Sequence, residues 1–163
     1  MDNINVLLVN GDRGINRPIE AAVLDVCYNQ ALVHFTRTAE LSEFVRLGAS
    51  DGFGLIILVA DHLVSSNKRH DSLIPFEEVV SAVLAVRRER STPLMAISAS
   101  DENKHALLAA GVECAMKFPF NRELLRSEIR QLLKMPELNS ENASGQWGQA
   151  GMWLRLLRRL KSA

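Results

Sequence analysis

The sequence predicts an α/β protein in which helices cover both faces of a five-stranded parallel sheet. The run Leu55-Ile56-Ile57-Leu58-Val59 is continuously apolar, rich in β-branched residues and too short for an ordinary helix. Residues 4–9 and 93–98 form similar runs without polar alternation, as expected of strands that are covered on both faces. Helical patterns separate these runs, and this alternation is typical of a doubly wound parallel sheet.

Composition is typical of one globular domain with a short appendage. The chain has 163 residues, of which 47% are hydrophobic and 23% are charged. Its 19 basic and 19 acidic residues cancel, so no molecule-wide field favours nucleic acid. Cys27 and Cys114 lie far apart in apolar settings, which predicts reduced thiols rather than a disulfide. No run approaches the roughly 20 apolar residues of a spanning helix, so we expect a cytoplasmic protein.

The first half of the chain predicts two strands, each followed by a helix. Residues 4–9 form the first strand, and the glycines at 11 and 14 permit a tight loop after it. Pro18 suits the first turn of a helix whose apolar residues recur at helical spacing. Residues 31–35 predict a short edge strand. Thr38 is placed to cap the next helix, which Gly48 ends.

The second half begins with a connection at residues 61–75 that exceeds the usual about 2–6 residues, so we expect a functional or mobile loop there. A third helix follows from Phe76 to the basic cluster at residues 87–90, where cations favour a helix C-terminus. Residues 93–98 predict the fourth strand. Ser100 caps a helix at residues 101–110, and Gly111 terminates it.

The last predicted strand covers residues 114–118 and is broken by Pro119. Asn121 caps a final helix. Five apolar residues of this helix are expected to face inward: Leu124, Leu125, Ile129, Leu132 and Leu133. The predicted α/β domain therefore occupies residues 3–134.

Beyond that domain we predict a flexible linker at residues 135–150, because its composition cannot bury enough surface to order itself. Residues 151–163 predict a basic amphipathic tail helix. Its apolar face carries Trp153, Leu156, Leu157 and Leu160, and its polar face carries Arg155, Arg158, Arg159 and Lys161. Three roles remain open for the tail: docking on a partner's groove, lying on an anionic membrane, or folding back on its own domain.

The order of elements resembles the receiver domain of bacterial response regulators, the CheY-like family. Ser98 ends the fourth strand, and Pro119-Phe120 follows the fifth, as in that family. The segments at residues 111–113 and 121–125 also look like family sequence. This resemblance covers residues 4–134 and implies a flavodoxin-like sheet of order 2-1-3-4-5. It also implies a role in two-component signal transduction.

The same resemblance implies that the usual phosphorylation chemistry is missing. A working receiver carries its phosphoacceptor aspartate where this chain has Val59, and its two metal-binding acids where this chain has Asn10-Gly11. The family's lysine aligns with Phe118, and its switch aromatic aligns with Ala115. We therefore expect a degenerate receiver without metal or cofactor. Its vestigial pocket would contain Asn10, Asp12, Val59, Ser98 and Lys117.

Three near matches keep an alternative open. Asp61 lies two positions past the acceptor position, and Asp12 lies just past the usual acidic pair. Together with Mg²⁺ they would form an unconventional phosphoacceptor site, whereas the simpler interpretation is that Asp61 is a solvated acid at a loop entry. Lys117 precedes the lysine position by one residue, so its side chain is expected to point away from the pocket.

The prediction is a phosphorylation-independent pseudo-receiver that acts as a protein–protein interaction module and is not an enzyme. The resemblance implies a partner-binding face on the fourth helix, fifth strand and fifth helix. That face would present Lys104, His105, Leu108, Arg122 and Arg126. The loop at residues 65–72 and the tail are further candidate contact surfaces. Partners are expected to be signalling proteins, with an anionic membrane surface or a homodimer as alternatives, and nucleic acid is not expected.

Overall fold

A computed structural model of the chain describes residues 2–64 and 74–136. Five strands alternate with five helices in these residues. In chain order they are β1 (Asp2–Val9), α1 (Arg13–Cys27), β2 (Ala31–Thr38), α2 (Leu41–Gly48), β3 (Leu55–Val59), α3 (Phe76–Glu89), β4 (Leu94–Ser98), α4 (Asp101–Ala109), β5 (Cys114–Lys117) and α5 (Arg122–Leu132). The predicted contact loop at residues 65–72 and the tail at 151–163 lie outside the described residues, as does most of the predicted linker.

The strands form one parallel sheet of order β2-β1-β3-β4-β5. β3 is central and pairs with β1 on one side and β4 on the other, while β2 and β5 are the edges. All residues of β3 and β4 are buried, which explains why neither strand shows polar alternation. The predicted fold class and strand order are confirmed.

Two apolar layers cover the sheet. α1 and α5 pack on one face through residues such as Ile19, Val23 and Ile129. α2, α3 and α4 pack on the other face through residues such as Phe44 and Val83. Alternate residues of β3 point into opposite layers, as the geometry of a strand requires. None of the described helices has both the length and the apolar character needed to cross a membrane.

The helix caps were predicted with mixed success. The Ser100 hydroxyl accepts a hydrogen bond from Asn103 N–H, and the Asn121 side chain caps α5, both as predicted. Gly111 follows α4 with a φ of 104°, a conformation that glycine adopts without strain. Thr38, however, ends β2 rather than capping α2. Its hydroxyl accepts a hydrogen bond of 3.2 Å from Glu40 N–H, one residue before that helix.

The first helix starts earlier than the position of Pro18 indicated. Asp12 is the N-cap, and its carboxylate accepts a hydrogen bond of 2.9 Å from Gly14 N–H. Pro18 therefore lies inside α1, and Gly14 is helical rather than part of the loop. Because proline has no backbone N–H, the carbonyl of Gly14, four residues before Pro18, receives no helical hydrogen bond.

The prediction that Leu124 faces inward is wrong. Its side chain is 52% exposed, whereas Leu125 and Ile129 are fully buried. Residues four apart share one face of a helix, so the stripe that packs on α1 follows Leu125 and Ile129 and leaves Leu124 to one side. Leu132 and Leu133 are partly buried against the same apolar layer.

Candidate functional site

The candidate site lies at the carboxyl edge of the sheet, where doubly wound folds bind their ligands. Val59 ends β3, Ser98 ends β4, and Asn10 follows β1. The pairing of Val9 with Leu58 and of Val59 with Ile97 brings these three positions to one edge. Val59 is 2% exposed and packs in the α1–α5 layer. A core side chain therefore fills the position that the resemblance equates with the phosphoacceptor.

Residues 60–64 run across this edge, and we call them the edge strap. At one end, Ala60 N–H donates to the Ile97 carbonyl at 2.9 Å. At the other end, Val64 N–H donates to the Ala39 carbonyl at 2.9 Å, and Leu41 N–H donates to the Val64 carbonyl at 3.2 Å. Leu63 between them is 2% exposed. The edge strap is therefore anchored beside both β4 and the start of α2.

Asp61 on the edge strap is bound to the end of β4. The Ser98 hydroxyl donates to one carboxylate oxygen at 2.8 Å, and the Ala99 N–H donates to the other at 2.6 Å. Ser98 Oγ also accepts a bond from Ser100 N–H at 3.3 Å. Asp61 is thus held by two protein donors instead of by solvent alone. Sequence reasoning missed this pairing because the two side chains are 37 residues apart.

Gly11 lies directly against the edge strap. A Cβ atom added at Gly11 would lie 1.5 Å from the His62 carbonyl oxygen and 2.7 Å from its carbon. Real Cβ atoms do not come so close to backbone atoms, so the edge strap leaves no space for a side chain here. The position that would carry the second metal-binding acid is therefore occupied by backbone.

Asn10 and Asp12 organise the turn between β1 and α1. Asn10 is 6% exposed, and its oxygen accepts from Asp12 N–H at 2.9 Å. Its amide nitrogen donates to the Asn16 side-chain oxygen at 2.7 Å and to the Asp12 carbonyl. The Asp12 carboxylate caps α1. Both vestigial-pocket residues thus have structural partners within the turn.

This donor set does not fit the Mg²⁺ ion that the resemblance implies. Mg²⁺ takes hard oxygen ligands in near-octahedral geometry, usually including one or two carboxylates. Here Asp12 is used as a helix cap, and Asp61 is bound by Ser98 and Ala99. Within residues 2–64 and 74–136, no group of three or more histidine, cysteine or acidic side chains is arranged to hold a metal.

Lys117 and Phe118 occupy the region where the resemblance places a lysine. The Lys117 ammonium pairs with the Asp101 carboxylate at 2.8 Å, a contact that lowers the pKa of Asp101. The Lys117 side chain thus contacts the first residue of α4, and its backbone pairs with Ser98 in the sheet. Phe118 is 39% exposed and makes an edge-to-face contact with Phe120, with 5.9 Å between ring centroids. The Lys117 ammonium is engaged by Asp101, and Phe118 carries no charge.

The predicted partner face is largely exposed. His105 and Arg122 are exposed, Leu108 is 40% exposed, and Lys104 is half-buried. A shallow groove between α4 and α5 is lined by residues that include Lys104, Phe120, Leu124 and Glu128. Sequence reasoning missed Leu124 as a surface residue because its apolar character suggested the core.

Arg126, another predicted residue of this face, has partners within the chain. Arg126 donates to Asp25 of α1 at 2.6 Å and to Glu123, so it ties α5 to α1.

The two cysteines have raised pKa values. Burial, with a smaller contribution from the nearby Glu128 carboxylate, raises the pKa of the Cys114 thiol to about 12. Burial also raises the pKa of Cys27. Both thiols are therefore protonated at neutral pH, in keeping with the predicted free cysteines.

The predicted tail contacts lie outside the described residues. They comprise Trp153, Arg155, Leu156, Leu157, Arg158, Arg159 and Leu160. The same is true of the candidate contact loop at residues 65–72.

No protein-family model and no curated protein matches the sequence. Solved structures do match. The receiver domain of a Pseudomonas aeruginosa sensor histidine kinase, solved with magnesium in its active-site cleft, aligns with a TM-score of 0.60 at 18% identity over 81% of this chain and 98% of that domain. A signal receiver domain from Clostridium thermocellum gives 0.59 at 23% identity over 80% and 98%. A CheY-like receiver domain protein from Methanospirillum hungatei gives 0.60 at 17% identity over 82% and 95%. The chain therefore has the fold of the CheY-like receiver domains of response regulators.

Proposed function

We propose that this protein is a pseudo-receiver, which binds partner proteins in bacterial signalling or regulation without accepting a phosphoryl group, and is not an enzyme. The observation that carries this proposal is the Asp61 carboxylate, which accepts hydrogen bonds from Ser98 and Ala99. Among the phosphorylation-site residues of the family that this chain resembles, Ser98 is the one that matches here. Its hydroxyl already has an anionic partner, so this end of β4 needs no added phosphate to satisfy its donors.

The surrounding residues support the same proposal. Val59 gives the acceptor position an apolar side chain that is part of the core. Gly11 faces the His62 backbone at a distance that excludes any side chain. A site that accepts phosphate from a donor needs a nucleophilic carboxylate and a bound cation. Here the acceptor position carries Val59, and the edge strap lies against Gly11, at the position of one metal-binding acid.

The partner surface in this proposal is the face formed by α4, β5 and α5. Leu108 and Leu124 are both large apolar side chains that are 40% and 52% exposed. His105 and Arg122 flank them and are exposed. Exposed apolar side chains with a basic rim fit a protein surface that combines apolar and acidic groups. Arg126 is assigned a supporting role because it is bound to α1.

One experiment tests phosphorylation directly. The full chain is incubated with acetyl phosphate and Mg²⁺, and its intact mass is measured. We expect no added phosphoryl group in the wild type or in Asp61→Asn. A stoichiometric gain in the wild type would refute the proposal.

A second experiment tests the partner face. Tagged Leu108→Asp and Leu124→Asp variants are compared with Leu84→Asp in pull-downs that are read by mass spectrometry. Leu84 is 42% exposed on α3, so it provides a matched substitution away from the face. We expect one set of captured proteins to be lost with the first two variants and retained with the third. Equal capture by all three variants would refute the proposed face.

The alternative is an unconventional phosphoacceptor that uses Asp61 with Asp12 and Mg²⁺. It is favoured by one observation, the distance of 2.8 Å between the Asp61 carboxylate and the Ser98 hydroxyl. A mass gain that disappears in Asp61→Asn would support this alternative. The Asp12 cap makes it the weaker candidate, because binding a cation would remove a partner from Gly14 N–H.

Attachment through the tail is a separate proposal that rests on its sequence alone. Arg155, Arg158, Arg159 and Lys161 would bind an anionic membrane, and nucleic acid is the less favoured polyanion. Vesicle co-sedimentation and a salt-dependent DNA shift test these roles. Unchanged behaviour after deletion of residues 151–163 would exclude the tail. Light scattering with the same deletion tests the homodimer alternative.

A further inference from the structure

We propose that a cleft between α1 and the end of β2 binds a phosphate-bearing ligand through Arg13, Arg17 and Arg37. The cleft has a volume of about 440 Å³. Its lining also includes Asn10, Asn16, Glu20, Thr38 and Ala39. This site lies beside the edge strand β2, whereas the proposed partner face lies at β5, the opposite edge of the sheet. The inference therefore stands apart from the proposed function.

The placement of Arg13 and Arg17 is electrostatically unfavourable in the protein alone. The two residues are four apart on α1, so their charged side chains are neighbours that repel each other. Arg13 is also the first residue of this helix, where the helix dipole disfavours cations. The first turn of α1 contains no acidic residue. Neither arginine forms an ion pair with any residue in the part of the chain that the structure describes. A bound anion would reduce both the repulsion between the two arginines and the unfavourable interaction with the helix dipole.

The nearest acids do not neutralise this pair. The Asp12 carboxylate is used by the Gly14 N–H as the helix cap. The Glu20 carboxylate pairs with Nε of Arg37 at 2.5 Å. The cleft therefore keeps a net positive charge from its three arginines.

Arg37 and Asn16 add hydrogen-bond donors to the lining of the cleft. Arg37 lies over the Phe35 ring at 5.6 Å from the centroid, and its Nε donates to the Glu20 carboxylate. Its two remaining nitrogens form no hydrogen bond within residues 2–64 and 74–136. The Asn16 oxygen accepts a bond from Asn10, which leaves the Asn16 amide nitrogen as a donor in the cleft lining.

Phosphate is the ligand group that best matches these donors. A guanidinium presents a planar fork of N–H groups that pairs with two oxygens of a phosphate. The positive end of a helix adds to the attraction for such an anion. The donors line a concave cleft of limited size, which suits a compact group with two or more negative charges. The source of the phosphate is either a small soluble ester or a lipid headgroup, and the test distinguishes them.

The test is calorimetric titration of the full chain with inorganic pyrophosphate and with inorganic phosphate at low salt. The variant Arg13→Gln/Arg17→Gln removes the two unpaired charges. The matched control is Arg88→Gln, which removes one exposed charge from α3. Thermal unfolding checks that each variant folds, and chemical-shift changes at the Gly14 and Asn16 amides locate the binding. Co-sedimentation with phosphatidylcholine vesicles, with and without phosphatidic acid, tests the lipid source.

We expect pyrophosphate to bind, and to bind about tenfold or more weakly to the double variant, because charge-assisted bonds are lost. The control should bind like the wild type. Vesicle binding that depends on phosphatidic acid and on the same two arginines would support the site with a lipid source. The inference is overturned if neither pyrophosphate nor the acidic vesicles bind. It is also overturned if the double variant and the control bind equally well.

Discussion

Substitution of Gly11 by alanine tests the packing of the edge strap. The added Cβ would lie 1.5 Å from the His62 carbonyl oxygen, and a backbone atom cannot rotate away as a side chain does. The edge strap must therefore shift. Overpacking of this kind costs about 1–3 kcal/mol. Displacement would also weaken the bonds of 2.8 and 2.6 Å to Asp61 and the burial of Leu63. A hydrogen bond to a charged group contributes about 1.5–3 kcal/mol when it is fully formed. Because these two bonds are partly exposed and would be weakened but not lost, we expect a total loss of about 2–5 kcal/mol.

Urea unfolding at constant pH measures this loss as a change in the free energy of unfolding. The matched control is Gly54→Ala, whose Cβ would lie 3.3 Å from a side-chain methyl group of Ile4, a contact that a shift of a few tenths of an ångström relieves. A double-mutant cycle of Gly11→Ala with Asp61→Asn shows whether both changes act on the edge strap. If they do, the cost of Asp61→Asn becomes smaller in the Gly11→Ala background. The reasoning is refuted if Gly11→Ala is as stable as Gly54→Ala, or if the two costs simply add.

Three further predictions concern single side chains. Ser98→Ala should reduce the free energy of unfolding by about 1–3 kcal/mol in urea titrations, because it removes one donor from the Asp61 carboxylate. Ser98→Thr keeps the hydroxyl and should reduce the free energy of unfolding by less. Equal reductions in the two variants would contradict this reasoning. Lys117→Met should raise the pKa of Asp101 in NMR titrations, because Lys117 holds that pKa below its usual value. The stability that Lys117 adds through Asp101 is present above the unfolded pKa of that acid and lost as the pH falls through the folded pKa, and an unchanged pKa would contradict the ion pair. The Cys114 thiol, with its pKa raised to about 12, should react with iodoacetamide at pH 8.5 far more slowly in the folded protein than in urea. Because the folded state binds this proton more tightly, its contribution to stability is full below the ordinary pKa and declines as the pH rises toward 12, and equal alkylation rates would contradict this.

The sequence predicts those features of the site that depend on position along a strand. The substitution of Val59 for an acid, and of Asn10-Gly11 for an acidic pair, is read from the resemblance once the strands are located. The direction of Lys117 is predicted from the alternation of side chains along β5, whereas its ion pair with Asp101 depends on where α4 begins. The sequence does not reveal that the Asp61 carboxylate reaches Ser98. That contact depends on how the chain turns after β3.

The cleft lined by Arg13, Arg17 and Arg37 likewise depends on contacts between residues that are far apart in sequence. Arg13 and Arg17 are neighbours by helical spacing, which the sequence contains, but Arg37 joins them only because β2 lies beside β1. The relation of Gly11 to His62 is similar, since two loops that are separate in sequence meet at one edge of the sheet.

By itself, the sequence determined the alternation of strands and helices, the buried character of β3 and the caps at Ser100 and Asn121. These features arise from apolar periodicity and from hydrogen bonds between residues a few positions apart, so they are present in any short window of the chain. Only the tertiary structure decided the exposure of Leu124 and the path of the edge strap. The physical reason is that each of these depends on which surfaces the folded chain brings together, and a loop's path is set by contacts with residues far away in sequence.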